Sequence, residues 1–113
     1  MVELSERQAL AIWRRAMTES VRSEQPDLSA RQMALMLTVY QDPVPQTVRG
    51  LAAHLKVSKP AIVRALDSLG KLDFVRRRPD ERDRRSVQIH RTVRGAVFLS
   101  EFAGLVAQAA REP

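Results

Sequence analysis

Apolar and small residues recur at helical spacing in the first 42 positions. They fall at i, i+3 and i+4 over residues 5–23 and again after Ser29. Each stretch begins with a capping box, in which a serine hydroxyl and a glutamine three residues on exchange hydrogen bonds with each other's N–H groups. The two boxes are Ser5 with Gln8 and Ser29 with Gln32. The pattern predicts one helix over 5–23 and a second, largely buried helix that ends before Pro43.

Two further helices follow, separated by a tight turn. Thr47 stands where it can cap a helix over 48–55, and Ser58 where it can cap one over 58–70. Pro60 falls in the first turn of the second, where a missing N–H costs little. The buried edge of that helix is formed by Ile62, Ala65, Leu66 and Leu69. This arrangement predicts a helix-turn-helix.

The hydrophobic period changes from helical to alternating after Phe74. Val87 and Ile89 alternate with polar neighbours, a period of two that indicates a strand. The segment 76–86, RRRPDERDRRS, would join two short strands into a hairpin whose tip carries Pro79 and Asp80.

The element order predicts a mainly α fold with a small β-hairpin, a winged helix-turn-helix. Thr92 is placed to cap a last helix over 92–111. We expect one domain over residues 1–113, with the helix-turn-helix and the wing in 28–91.

Positive charge is concentrated in the middle of the chain. The net charge is +6, yet residues 46–95 hold thirteen basic and five acidic side chains, and the remainder holds six basic and eight acidic. A contiguous basic region of this kind is typical of a phosphate-binding face.

Composition excludes several function classes. The chain has no cysteine, so disulfides, thiolate metal sites and thiol switches are excluded, and an effector would be a small molecule or a partner protein. No apolar run approaches the roughly 18 residues of a membrane span, and the start MVELSERQ does not resemble a signal peptide. We therefore expect a cytoplasmic protein without membrane association.

No pattern favours an enzyme, a metal or a cofactor. Residues 68–71 match an SxxK nucleophile pattern but lack its companion motifs. His54 and His90 are far apart in sequence and have no clustered carboxylates at ligand spacing. Trp13 is better explained by a core or interface role.

The predicted second helix of the helix-turn-helix has the chemistry to contact a duplex. Ser58 and Lys59 at its start can bind phosphates, together with the N–H groups of the helix N-terminus. Arg64 suits bidentate contact with guanine, and Pro60, Ala61 or Val63 could touch a thymine methyl group. The chain has no asparagine, and no glutamine lies between residues 47 and 87. We therefore expect weak direct adenine readout and more readout through groove shape.

The charged segment would place arginines in the neighbouring minor groove, where negative potential is concentrated. Asp80 and Asp83 can accept hydrogen bonds from neighbouring arginine side chains and loop N–H groups, and so hold the finger in shape. Arg84 or Arg82 would then point outward. The alternative is a mobile, solvated loop.

Three segments resemble the MarR family of bacterial winged-helix transcription regulators, over about residues 28–95. They are the SxRQ-type start at Ser29, TVRGLAAHLKVSKPAIVRALDSL (47–69) and, as the most diagnostic, DERDRRS (80–86). The resemblance implies a homodimer on a pseudo-palindromic DNA site, with a helix in each major groove and a wing arginine in the minor groove. The DNA-binding set is then Thr47, Ser58, Lys59, Pro60, Val63, Arg64, Arg82 and Arg84. The residues that shape the wing are Asp80, Asp83 and Arg85.

The chain departs from the family pattern at three places. Asp73 stands where the family has glycine before the first wing strand, and Arg91 stands where it has leucine. Aspartate tolerates the left-handed conformation better than most residues, so we expect the turn to survive. Only 21 residues, from Val93 to Pro113, follow Thr92, fewer than the C-terminal region that forms the family's dimer and ligand pocket. The small residues Ala103, Gly104, Ala107, Ala109 and Ala110 would still permit close packing.

The sequence thus predicts a sequence-specific DNA-binding transcription regulator, with a repressor as the expectation. A protein-interaction module on a winged-helix scaffold is the alternative from a different class, and RNA binding through the basic wing is a third.

Overall fold

The computed structural model describes residues 3–112. In that part of the chain it contains five helices and three short strands. They are α1 (Glu6–Arg22), α2 (Ala30–Gln41), β1 (Gln46–Thr47), α3 (Val48–Leu55), α4 (Lys59–Lys71), β2 (Val75–Pro79), β3 (Val87–Arg91) and α5 (Val93–Arg111). The fold is the predicted winged helix-turn-helix, with a small antiparallel sheet rather than a hairpin alone.

The chain forms two compact units, and α5 runs through both. One unit is Leu28–Phe98, and the other comprises the described parts of Met1–Asp27 and Leu99–Pro113. One domain over 1–113 stays a prediction.

The core of the unit Leu28–Phe98 is formed by apolar side chains at helical spacing. On α4, the predicted buried edge is confirmed, since all four of its residues are buried. The fully enclosed side chains of the unit are Leu35, Met36, Leu51, Ile62, Leu66, Leu69 and Ile89. Burying one such side chain contributes about 1.5–3 kcal/mol, so this core fixes α4 and leaves its polar side outward.

The predicted caps are present. The Ser5 Oγ accepts from the Gln8 N–H at 3.1 Å while the Gln8 Oε1 accepts from the Ser5 N–H at 2.8 Å. Ser29 and Gln32 form the same box. Thr47 and Ser58 accept hydrogen bonds from N–H groups in the first turns of α3 and α4, and Thr92 from the first turn of α5. These side chains satisfy helix N–H groups that lack intrahelical partners.

The turn between α3 and α4 is closed by a left-handed residue. Lys56 has φ 56° and ψ 44°, and the Val57 N–H donates to the Ala52 carbonyl at 3.1 Å. A helix commonly ends with such a residue, and here it redirects the chain directly into Ser58 and α4.

The hairpin differs from the prediction at its tip. Pro79 is the last residue of β2, opposite Val87, and the Asp80 N–H donates to the Ser86 carbonyl, so the turn spans 80–86. Placing Pro79 at the tip was wrong. β2 is an edge strand because the strand order is β1-β3-β2, and an edge strand tolerates proline. Arg76, Arg77 and Arg78 are likewise strand residues.

A third strand was not predicted. The two residues of β1 pair antiparallel with β3, Gln46 opposite Ile89 and Thr47 opposite Gln88. The pairing connects the start of α3 to the wing.

A hydrogen-bonded cluster joins α2, the start of β2 and the start of α5. The Tyr40 hydroxyl donates to the Phe74 carbonyl at 2.7 Å and accepts from the Thr92 N–H at 3.0 Å. Gly95 packs against this hydroxyl so closely that a Cβ atom there would overlap it and the Phe74 carbonyl oxygen. Asp73 has φ 58°, so aspartate does make the left-handed turn expected before β2.

Arg91, which stands at the position of leucine in the resembled pattern, contacts α2 and the residue after it instead of entering the core. Its side chain donates to the Val39 carbonyl at 3.0 Å and to the Asp42 carbonyl at 2.7 Å. The guanidinium also lies 5.8 Å from the centre of the Tyr40 ring, a cation–π distance.

In the other unit, α1 packs against the later part of α5. Trp13 and Phe102 meet edge to face with ring centroids 5.8 Å apart, and Ala16 is buried. Arg15 donates to the Glu112 carbonyl at 2.9 Å. Four apolar residues of α1 nevertheless stay exposed, in a row at i, i+3, i+7 and i+11: Leu10, Trp13, Met17 and Val21.

Among the described helices, Val93–Arg111 is long and apolar enough by length and composition to cross a membrane. Arg94 and Glu101 interrupt it. Core helices of soluble proteins pass the same test, so the finding is weak.

Candidate nucleic-acid interface

The outward side of α4 carries the residues predicted to contact the duplex, except Ala61. The proposed contact of Ala61 with a thymine methyl group was wrong, because its side chain is buried in the core. Lys59, Pro60, Val63 and Arg64 are exposed, while Ile62 and Leu66 are fully buried. The core packing therefore determines which side of α4 is free to contact a duplex.

The N-terminus of α4 offers few free N–H groups. Pro60 has none, and the Ala61 N–H donates to the Ser58 Oγ at 3.2 Å. The Ile62 N–H donates to the Ser58 carbonyl at 3.1 Å. The predicted phosphate contact at this end must therefore come mainly from side chains: the Ser58 hydroxyl, which can still donate its proton, and Lys59.

The turn of the wing is held by two carboxylates. The Asp80 Oδ1 accepts from the Arg82 N–H at 2.9 Å, and the Asp83 Oδ1 accepts from the Arg85 N–H at 3.0 Å. Backbone bonds from Asp83 to Asp80 and from Ser86 to Asp83 close the turn. These are Asx-type turns, in which an aspartate stabilises the chain two residues on. The arrangement leaves the arginine side chains of the tip exposed.

The sequence analysis also expected Asp80 and Asp83 to bind neighbouring arginine side chains. The structure shows no ion pair of either carboxylate within residues 3–112. The ion pairs formed across residues 3–112 are Arg15–Glu112, Arg22–Glu19, Arg76–Asp73 and Arg77–Asp67. Asp80 and Asp83 take part in none of these. The two acids shape the turn through backbone N–H groups instead.

A cleft of about 290 Å³ lies between α3, α4 and the wing. Its charged residues are four cations and one acid, so the cleft is strongly positive. The lining residues are Thr47, Val48, Arg49, Lys59, Val63, Arg77, Asp83, Arg85, Ser86 and Val87. Separate segments of the sequence thus converge on one basic surface.

The cleft unites part of the predicted site. Thr47, Lys59, Val63, Asp83 and Arg85 line it. The other predicted residues do not line it and lie on α4, its cap or the wing turn: Ser58, Pro60, Arg64, Asp80, Arg82 and Arg84. The proposed contact surface is therefore the cleft together with the flanking side of α4 and the tip of the wing.

Two lining cations were not selected from the sequence. Arg49 is in the first turn of α3, two residues after the Thr47 cap, and its position there was a usable signal. Arg77 is two residues after the buried Val75 on a strand, so alternation predicts that both share a face.

Asp67 and Arg77 join α4 to the wing. The Arg77 guanidinium donates to the Asp67 carboxylate, with side chains 40% and 49% exposed. Asp73 and Arg76 form a looser pair at 3.5 Å. Between α4 and β2, a shallow groove of about 650 Å³ is lined by both Asp67 and Arg77, together with Lys71, Arg76 and Arg78.

Residues 3–112 contain no group of three or more histidine, cysteine, aspartate or glutamate side chains that could hold a metal ion.

Comparison with solved structures shows that the fold is shared with known proteins. A DNA complex of MepR from S. aureus aligns with a TM-score of 0.78 at 17% identity, covering 93% of this chain and 84% of that one. A mutant of MarR from E. coli aligns at 0.69 with 23% identity, covering 97% and 80%. The regulator Tm0710 from Thermotoga maritima aligns at 0.68 with 19% identity, covering 90% and 66%. At these identities the likeness shows the fold.

No curated protein matches the chain in sequence. The MarR family profile does, over residues 28–87, which includes the helix-turn-helix and most of the wing. The family match, together with the fold, defines a winged-helix, DNA-binding transcription regulator. The chain belongs to the MarR family, a family of regulators and not of enzymes.

Proposed function

We propose that the protein binds specific duplex sequences, with α4 in the major groove and the turn of the wing in the adjacent minor groove. The observation that carries this proposal is the basic cleft, in which the starts of α3 and α4 meet the wing. Arg49, Lys59 and Arg85 in the cleft can bind the phosphates between the two grooves. Arg64 would read guanine, and Arg84 or Arg82 would enter the minor groove.

The chain acts as a homodimer on a pseudo-palindromic site in this proposal. The apolar row on α1 supports it, since Leu10 and Val21 are 71% and 62% exposed, and contiguous exposed apolar side chains mark interaction sites. A dimer sets its two recognition helices one turn of DNA apart. Binding would exclude polymerase from a promoter and so repress it.

A protein that binds chromosomal DNA in this way would be cytoplasmic and without membrane association. An effector, where one acts, is a small molecule or a partner protein, because the chain has no cysteine to oxidise.

The test begins with selection of tightly bound duplexes from fragmented genomic DNA. The affinity of the wild-type chain for a selected site should fall linearly with salt on logarithmic axes, by about 0.9 per phosphate contacted. Lys59→Ala should weaken all sequences alike and reduce the slope by about 0.9. Arg64→Ala should relax the choice of sequence at one base pair, a cost of about 1–3 kcal/mol in discrimination.

The protein-interaction alternative predicts a different outcome. If Arg64→Ala and Arg84→Ala both leave DNA retention unchanged, the basic surface does not bind a duplex, and the proposal is wrong. Tighter binding to single-stranded or duplex RNA than to DNA would favour the RNA alternative.

A further inference from the structure

Asp67 is an unexpected residue on the outward side of α4. It lies one turn beyond Val63 and Arg64, and it is the only acid in the helix. A carboxylate there repels phosphates. Neither capping nor burial explains it, since its side chain is 49% exposed.

The register of the sheet directs Arg77 at this carboxylate. Arg77 is opposite Ile89, which is buried, so the two side chains share the inner face. Arg76 and Arg78 are opposite His90 and Gln88 on the other face. Of three consecutive arginines, the register therefore turns the middle one toward α4.

The ion pair holds a cation that would otherwise be available to DNA. Arg77 lines the basic cleft beside Lys59 and Arg85, within a surface proposed to bind phosphates. Exposed ion pairs contribute little to folding stability. We therefore expect the pair to affect DNA binding, because a carboxylate and a phosphate compete for the same guanidinium.

We propose that Asp67 is a specificity-determining residue: it keeps Arg77 from phosphates and so limits sequence-independent binding to DNA. The proposal rests on the DNA-binding function proposed above. Asp67 thereby raises the ratio of the affinity for a selected site to the affinity for random duplex. Because phosphate contacts supply essentially all of non-specific binding, withholding one contact weakens binding to random sequences most in relative terms.

The test compares four proteins on a random-sequence duplex and on a selected site at 50–200 mM salt. They are the wild type, Asp67→Asn, Arg77→Gln and the double variant. Asp67→Asn should bind random duplex more tightly than the wild type, with a salt slope steeper by about 0.9. Over this fourfold range of salt, its advantage should shrink about 3.5-fold. The double variant should return to the wild-type slope, because the released cation is then absent.

Glu19→Gln is the matched control for charge. It removes one carboxylate from an exposed ion pair on α1, the pair of Arg22 and Glu19 at 3.1 Å. It should leave the slope for random duplex unchanged, so a steeper slope in Asp67→Asn reflects the position of the released cation. Unfolding midpoints of all variants should stay close to that of the wild type.

Two results would overturn the proposal. One is an unchanged slope in Asp67→Asn. The other is a slope reduced by about 0.9 in Arg77→Gln alone, since Arg77 would then already contact a phosphate. Failure of the DNA-binding function is distinguishable, because the wild-type chain would then show no salt-dependent binding to either duplex, and both proposals would fall together.

Discussion

Single side chains form contacts that connect several secondary-structure elements. The Tyr40 hydroxyl accepts from the Thr92 N–H and donates to the Phe74 carbonyl, so one side chain connects α2, β2 and α5. A buried polar group left without its partner costs about 1–3 kcal/mol. This contact also requires glycine at position 95, because a Cβ atom there would overlap the Tyr40 hydroxyl and the Phe74 carbonyl oxygen.

Gly95→Ala should therefore destabilise the protein by about 1–3 kcal/mol, the cost of overpacking a closed contact. Gly104→Ala is the matched control on the same helix, because nothing lies within 4 Å of its added Cβ. It should stabilise by about 0.5–1 kcal/mol through helix propensity. Urea unfolding of both variants measures the difference. Similar effects at the two sites would contradict the close packing of Tyr40 and Gly95.

At the scale of elements, the wing combines a hydrogen-bonded turn with exposed cations. The Asp83 carboxylate accepts from the Arg85 N–H at 3.0 Å, although its charge opposes that of the arginines around it. This hydrogen bond explains why an acid is present in a basic turn, since it stabilises the turn that carries the exposed Arg84 side chain.

Replacement of Asp83 separates its hydrogen bond from its charge. Asp83→Ala should lose about fivefold in affinity for a selected duplex, corresponding to one hydrogen bond of about 1 kcal/mol. Asp83→Asn keeps an acceptor oxygen and removes a charge that repels phosphates, so it should bind at least as tightly as the wild type. Titrations with a labelled duplex measure both. Equal loss in the two variants would show that the charge matters and the bond does not.

The sequence predicted elements wherever one local signal was sufficient. Both capping boxes predicted α1 and α2, and the change from helical to alternating period after Phe74 predicted the hairpin, although not its tip. β1 was not predicted because two residues are too few to show a hydrophobic period, and because their pairing with β3 is a long-range contact. Alternation from the buried Val75 indicates which face of β2 carries Arg77, but three consecutive arginines give no signal of what that face contacts. Only the register with β3 shows that Arg77 turns toward Asp67.

At the scale of the whole molecule, the proposed function depends on the proposed dimer. Each chain carries one recognition helix and one wing, and a pseudo-palindromic site needs two. The exposed apolar row on α1 is where the proposed dimer would bury surface. The sequence indicated apolar residues there but not their exposure, because helical spacing alone does not tell a core face from an interface.

Leu10→Glu combined with Val21→Glu should convert the proposed dimer into a folded monomer, because two charges would enter its apolar interface. Sedimentation equilibrium measures the mass, and circular dichroism confirms folding. Val44→Glu is the control, since Val44 is 64% exposed but lies in the loop after α2. A wild-type chain that sediments as a monomer at micromolar concentration would contradict the proposed assembly.

The most direct test of the central claim is to locate α4 and the wing on DNA. Because the chain lacks cysteine, Ser68→Cys on α4 and Glu81→Cys in the turn of the wing each provide one site for a DNA-cleaving iron chelate. On a selected duplex, the two labels should cut at positions offset by about half a helical turn, roughly 5 base pairs, as expected for adjacent grooves. Coincident cuts, or no cuts from the wing label, would contradict the placement of α4 and the wing in neighbouring grooves.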